Sequence, residues 1–129
     1  MSADLHAGGC QCGAVRFEAK GAPRFIANCH CNSCRKATGA AFLTWIGFTD
    51  DKVNSPKGEP SFYASSEGVR RGYCAACGTP LSFASERWAG ETHFLIGVMD
   101  APENYTPTGE VFSAEALPWA QHLAEFPIG

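Results

Sequence analysis

The chain carries little charge of either sign, no excess of cations and no hydrophobic run of membrane length, and each absence narrows what it can be. Charged residues make up 18% of it, and 10 Lys and Arg against 13 Asp and Glu leave a formal net charge of -3. So balanced a protein has no positive field to draw it onto a phosphate backbone, and nucleic acid is not an expected partner. The longest apolar stretch, Ala40 to Phe48, is broken at Thr44 and falls well short of the ~20 residues that cross a bilayer. Met1 to Gly9 carries Asp4 and His6 in place of an apolar core, so neither a membrane span nor a secretory leader is expected. No Pro/Gly/Ser-rich segment is long enough to separate one core from another. The 129 residues, 45% of them hydrophobic, are therefore expected to form one domain over 1–129.

Cysteine is what the chain does have, seven of them in three groups: Cys10 and Cys12; Cys29, Cys31 and Cys34; Cys74 and Cys77. An odd count with no export signal is a poor disulfide framework, so reduced thiols in a cytoplasmic setting are the expectation. Short runs rich in β-branched and aromatic residues lie between the groups: Ala14 to Ala19, Arg24 to Ala27, Ala40 to Phe48, Ser61 to Ala64, Val69 to Tyr73, Leu81 to Ala84 and Thr92 to Met99. Glycine and proline punctuate them at Gly21-Ala22-Pro23, Pro56-Lys57-Gly58, Gly78-Thr79-Pro80 and Pro102, and only Asn32 to Thr38 reads as a brief helix. The pattern predicts a mainly β protein built on folded antiparallel sheets. The tail from Thr106 to Gly129, with three prolines and Phe112, Trp119 and Phe126, reads as a strand and loop lying across the domain.

Two of the cysteine groups echo each other. Cys12-Gly13-Ala14-Val15-Arg16-Phe17 and Cys77-Gly78-Thr79-Pro80-Leu81-Ser82-Phe83 both run from a cysteine pair through glycine into a strand. Each reads as a metal knuckle, in which glycine supplies a turn that lets backbone amides approach the sulfurs. Zinc takes four soft ligands in a tetrahedron, and Cys10, Cys12, Cys74 and Cys77 would supply them. The alternatives for these residues are buried unpaired thiols and a redox pair at Cys74-Ala75-Ala76-Cys77. The latter wants a strand-to-helix setting that Pro80 and Leu81-Ser82-Phe83 deny. Closing a loop of about 60 residues with metal would also stabilise the fold.

Cys29-His30-Cys31-Asn32-Ser33-Cys34 offers three thiolates and no obvious fourth protein ligand, which implies an open coordination position of the kind catalytic zinc sites keep. His30 lies between two ligating neighbours, so its side chain is expected to point away from a metal there. His6, His93 and His122 lack ligand spacing and read as surface or packing residues. Three thiolates and Zn²⁺ leave one net negative charge, a weak Lewis acid that acidifies water poorly. Such a site suits an incoming thiol, held as its thiolate for attack on an electrophilic carbon. Arg35 and Lys36 would offset that charge, grip a substrate carboxylate, or simply form a solvated face.

Three stretches together resemble the glutathione-dependent formaldehyde-activating enzyme family, which includes centromere protein V. They are Cys10-Gln11-Cys12-Gly13-Ala14-Val15, then Cys29-His30-Cys31-Asn32-Ser33-Cys34-Arg35-Lys36 with Gly39-Ala40-Ala41-Phe42, then Tyr73-Cys74-Ala75-Ala76-Cys77-Gly78-Thr79-Pro80-Leu81. The resemblance covers roughly residues 8–120 and is specific because order, spacing and following residues agree in all three. It implies an Mss4-like β fold with two zinc ions per chain, a carbon–sulfur lyase activity, and formation of S-hydroxymethylglutathione from formaldehyde and glutathione. On it, Cys10, Cys12, Cys74 and Cys77 look like the structural zinc ligands, and Cys29, Cys31 and Cys34 like those of the catalytic zinc. The chain departs from the family at Glu110, where relatives often have a His upstream of a Trp; here Glu110-Val111-Phe112 precedes Trp119.

The leading functional expectation is thus an enzyme acting on the adduct of a thiol, such as glutathione, with a small aldehyde. A non-catalytic zinc module that binds a partner protein is the alternative, and methionine sulfoxide reduction a third that needs a free cysteine outside the metal sites. Phe42, Trp45, Phe48, Phe62 and Tyr63 are expected to fill the core or line a pocket.

Overall fold

A computed structural model describes residues 4–120. Alternation of side chains across strands explains most of the architecture. Strands β1 (Leu5–Gly9), β2 (Arg16–Lys20) and β5 (Val53–Lys57) form a small antiparallel sheet in the order β1-β2-β5. The larger sheet has seven strands in the order β10-β3-β4-β9-β8-β7-β6. These are β3 (Phe25–Cys29), β4 (Leu43–Thr49), β6 (Ser61–Ser66), β7 (Val69–Tyr73), β8 (Pro80–Ser85), β9 (Glu91–Leu95) and β10 (Gly109–Val111). All pairings are antiparallel except β10 with β3, which is parallel. The one α-helix among the described residues, α1 (Asn32–Thr38), joins β3 to β4.

Central strand β4 is buried on both faces, and residue parity sorts its side chains. Ile46 and Phe48 point at the small sheet, where they meet Phe17, Ala19, Phe94 and Met99 in the main core. Phe17 and Phe94 stack with ring centres 3.9 Å apart. Gly8 permits this contact, since a Cβ there would fall 2.6 Å from both the Phe17 ring and the Val98 carbonyl. Leu43 and Trp45, of opposite parity, face the other side and cluster with Cys29 and Cys34. Gly47 shares their face, and its missing side chain leaves room for the Phe25 ring. The two faces of one sheet thus carry two cores, one structural and one containing thiols.

The helix Asn32–Thr38 and strand Val69–Tyr73 have the bounds expected from sequence. The run from Ala40 becomes a strand only at Leu43, because Gly39 ends α1 in the left-handed conformation (φ 80°) and the next three residues lead out of that cap. The run from Thr92 leaves the sheet after Leu95 and closes in a 3-10 turn over Ile96–Val98. Strands β1 and β5 are additions. Neither has the expected residue pattern, β1 containing Gly8 and Gly9 and β5 containing Pro56, which the edge of a small sheet tolerates. Among the aromatics expected inside, Trp45 and Phe48 are buried, but Phe42, Phe62 and Tyr63 are 40–45% exposed. Phe62 and Tyr63 sit on β6, the outermost strand of the large sheet, where no further layer covers them. The expected tail strand exists as β10; Phe126 and His122 lie outside the described residues.

Candidate metal centres

The two echoing segments fold alike. In each, the amide of the first cysteine bonds the carbonyl of the residue leading into the strand, Cys10 to Val15 and Cys74 to Thr79, at 3.1 and 3.0 Å. In each, a left-handed glycine returns a bond to that cysteine's carbonyl, Gly13 (φ 82°) to Cys10 and Gly78 (φ 80°) to Cys74. The Val15 amide also donates to Cys10 Sγ at 3.2 Å. The sulfurs of Cys10, Cys12, Cys74 and Cys77 all lie within 4.8 Å of one another. Cys12 Sγ is 3.6 Å from Cys10 Sγ and 3.8 Å from Cys74 Sγ. Tetrahedral zinc with Zn–S bonds of about 2.3 Å needs sulfurs about 3.8 Å apart, so this donor set fits the ion. Cys10 and Cys77 already lean toward the ionised form that a metal requires. The Thr79 hydroxyl, donating to Cys77, holds its thiol down to about 5. Burial works against Cys10, but the Val15 amide and the neighbouring thiols outweigh it and lower it. Cys12 gains from the Ala14 amide, yet the Cys10 and Cys77 sulfurs push it up to about 11, a repulsion that a cation would remove.

The second cluster joins the end of β3 to the start of α1. Cys29, Cys31 and Cys34 have sulfurs within 4.8 Å of one another, and Cys29 and Cys34 are buried. Cys31 caps the helix, its sulfur accepting from the Cys34 amide at 3.2 Å. The three cannot ionise together unaided. A hydrogen bond from Cys34 lowers Cys29, the same bond and burial drive Cys34 far upward, and burial raises Cys31. A divalent cation is the natural means of holding three such sulfurs as thiolates. All seven cysteines fall in these two clusters, which leaves no separate nucleophilic thiol for methionine sulfoxide chemistry.

His30 is buried and turned from the sulfurs, its Nε2 lying 2.5 Å from Glu110 Oε1 on β10. Its amide bonds the Val111 carbonyl at 3.2 Å, and its ring lies against Phe42. Glu110 is thus the partner of His30, tying the three-cysteine loop to β10. Arg35 does the same from the helix: its Nε donates to the His30 carbonyl and its Nη2 to the Glu115 carbonyl, both at 3.3 Å. It is a clamp on the loop and not a free cation. Lys36 lies on the outer face of α1 beside Trp119, which is 57% exposed.

Two residues of this site were not distinguished by sequence. Arg71, on β7, is only 5% exposed. Its Nε donates to Ser65 Oγ at 2.9 Å, its Nη2 to Ser33 Oγ at 3.2 Å, and Nη2 stands 3.6 Å from Cys34 Sγ. A buried arginine aimed at a thiol offsets the negative charge of a three-thiolate site. Its only sequence signal was a charged pair, Arg70-Arg71, inside a strand. His93, expected to be a surface or packing residue, is buried on β9 with Nε2 2.9 Å from Glu91 Oε1. Burial lowers its pKa despite that partner. Arg71, His93 and the three cysteines line one cavity of about 380 Å³, walled by Phe25, Trp45, Phe83, Trp88 and Phe112. This is the size of a small-molecule site, and it opens from the thiol face of the large sheet.

A β scaffold carrying two cysteine centres, one enclosed by four sulfurs and one facing a cavity with three, is the class that the geometry defines. Residues 5–115 match the family described as glutathione-dependent formaldehyde-activating enzyme, and the chain belongs to it. A Halomonas elongata protein provisionally named as such an enzyme is 29% identical over 102 residues, 73% of this chain. The match spans 65% of that curated relative's own length. The crystal structure of a Rhodobacter sphaeroides protein superposes with a TM-score of 0.64 over 81% of this chain and 98% of that one, at 18% identity, and shares the fold. Among the described residues, no helix is long and apolar enough to cross a membrane.

Proposed function

We propose that the protein is a zinc-dependent enzyme of carbon–sulfur lyase type that makes or breaks the adduct of a thiol with a small aldehyde. The observation that carries this reading is the three-thiol cluster facing a half-open cavity beside a buried arginine. In it, Cys10, Cys12, Cys74 and Cys77 hold a structural zinc, and Cys29, Cys31 and Cys34 hold a second. Zinc held there would supply the positive charge that favours the thiolate form of an incoming thiol.

The chain's residues do the rest. Arg71 balances the charge of the three cysteines, so that a fourth anionic sulfur can approach them. The clamps from Arg35 and Glu110 fix the loop that carries Cys31. The aromatic walls offer water few hydrogen-bond partners, which favours addition of sulfur over hydration of the aldehyde. In the forward direction the thiol gives up its proton, a C–S bond forms at the carbonyl carbon, and the carbonyl oxygen takes up a proton. No oxidant or reductant is consumed.

The family name supplies glutathione and formaldehyde as the first pair to test. Zinc should be near two per chain by elemental analysis of protein purified without chelators. Exchange NMR of thiol, aldehyde and adduct should then show interconversion faster than in buffer, with Cys34→Ser back at the buffer rate. Two zinc ions with no acceleration for any thiol would refute the enzymatic reading. The exposed Phe42 and Trp119 near α1 are what favours a partner-binding module instead. In that case Cys34→Ser would leave partner binding intact.

A further inference from the structure

Resting on the thiol reading above, we infer that the thiol this site takes carries an aromatic or branched aliphatic body and a single carboxylate, in place of the zwitterionic peptide of glutathione. The cavity is graded from a buried end to an exposed one. At the buried end stand Cys29, Cys34 and Arg71, each no more than 5% exposed. Arg71 is already committed there, to Ser65, Ser33 and Cys34, and cancels the one negative charge that three thiolates leave on a divalent metal. It has no charge to spare for a substrate.

The middle is aromatic. Trp45, Phe83 and His93 form a continuous run of ring contacts, with centres 5.6 Å apart in each successive pair, and Trp88 closes on both Phe83 and His93. Rings so arranged receive a flat or branched apolar group, and apart from the charged and imidazole groups the wall offers a peptide's amides only the hydroxyls of Ser33, Ser66 and Ser85.

At the exposed end stands Arg87. Its guanidinium lies 5.0 Å from the Trp88 ring centre and 5.9 Å from that of Phe112, and among the described residues no carboxylate pairs with it. No Asp or Glu lines the cavity. A carboxylate therefore finds a cation at the mouth, whereas the ammonium of glutathione finds no counter-charge anywhere on the wall. Phe112 strengthens the argument independently. It is the one non-glycine among the described residues with positive φ, at 55°, a conformation that costs a bulky side chain about 1–2 kcal/mol. The left-handed turn places its ring at the mouth beside Arg87. Strained backbone of this kind clusters at ligand-binding sites, where the surrounding structure over-determines it.

The test uses whole protein loaded with cobalt(II), whose visible bands change when a sulfur enters the open site and do not respond at the closed four-sulfur one. Three thiols are titrated: 4-(2-mercaptoethyl)benzoate, whose ring lies between its sulfur and its carboxylate, 2-phenylethanethiol, which lacks only the carboxylate, and glutathione. The aryl carboxylate should bind roughly tenfold more tightly than either of the others, the gain of one charge-assisted contact. Arg87→Gln should bring it to within about twofold of 2-phenylethanethiol, and Phe112→Ala should weaken both aryl thiols while leaving glutathione unchanged. Glutathione binding as tightly as the aryl carboxylate, or an advantage that survives Arg87→Gln, would overturn the inference and leave the thiol reading standing. If no thiol alters the cobalt bands, both fall.

Discussion

Arg71→Met isolates the charge that we assign to the three-cysteine site. Two opposite unit charges about 4 Å apart attract by about 4 kcal/mol at an effective dielectric of about 20. The 3.6 Å approach of Arg71 Nη2 to Cys34 Sγ falls in that range once Cys34 is a thiolate. A guanidinium 5% exposed has lost its hydration in the metal-loaded and metal-free protein alike, so that cost cancels, and the gain is reduced instead by the neutral hydrogen bond that Arg71 already makes to the Cys34 thiol. What remains is a charge-assisted hydrogen bond, about 1.5–3 kcal/mol, which corresponds to roughly 10- to 100-fold in metal affinity at this site. Methionine keeps the length and apolar bulk of the stem over Phe83, so the fold should lose only about 1 kcal/mol through the Ser65 and Ser33 bonds. The assay is competition for zinc with a chromophoric chelator. One equivalent should be lost to it at far lower chelator concentration than from wild type, while the other stays bound. Arg71→Lys, which keeps the charge but not the planar fork, should fall between. A folded Arg71→Met protein that holds both zinc ions as tightly as wild type would refute the assignment.

Removing the enclosed centre should do something different in kind: Cys74→Ser, or strong chelation, is expected to abolish the cooperative thermal transition seen by circular dichroism, since structural zinc contributes folding free energy directly. His93 gives a pH signature. Burial holds its folded pKa below the ordinary 6.5 despite Glu91 and the more distant Asp50, so the unfolded chain binds more protons in that window. Stability should be full above about 6.5 and fall as the pH drops below it, and His93→Gln should flatten the slope in urea titrations. Asp100, lowered by its bond from Arg16, contributes its own loss only below 3.8, outside that window. Phe112→Gly should be more stable than Phe112→Ala by about 1 kcal/mol, because both lose the ring but only glycine accepts the left-handed backbone without strain, while the two weaken thiol binding alike.

What could be read in advance depended on how local the signal was. Both cysteine clusters were visible because ligand spacing is a short-range property, and so was α1, whose seven residues are fixed by Cys31 before it and Gly39 after it. The knuckle glycines were legible for the same reason. Strand β5 was not, because Val53-Asn54-Ser55-Pro56-Lys57 has neither alternation nor β propensity and forms only where β2 offers it a ladder. Arg71 and His93 were missed for a related cause. Each looks like an ordinary polar residue in a strand, and each joins the site only because β7 and β9 turn their odd-numbered side chains to the face that also bears Cys29 and Trp45. No single segment contains that information; it lies in the register of four strands.

The two centres are coupled through that register. Cys10 and Cys12 sit in the turn between β1 and β2, and Cys74 and Cys77 in the turn between β7 and β8, so a metal held by all four ties a hairpin of the small sheet to one of the large sheet. Strand β7 runs directly into Cys74, and Arg71 lies three residues before it. The enclosed centre therefore fixes one end of the strand that aims Arg71 at Cys34. At the other end, β7 is held to β8 by the Val69 and Ser85 register and to β6 on its outer side. A strand pinned at both ends can present a buried cation at a constant distance from three sulfurs, which a loop could not do without paying for its own ordering. A metal held by the four sulfurs would thus act on the proposed chemistry at a distance, by making the charge environment of the three-cysteine site rigid.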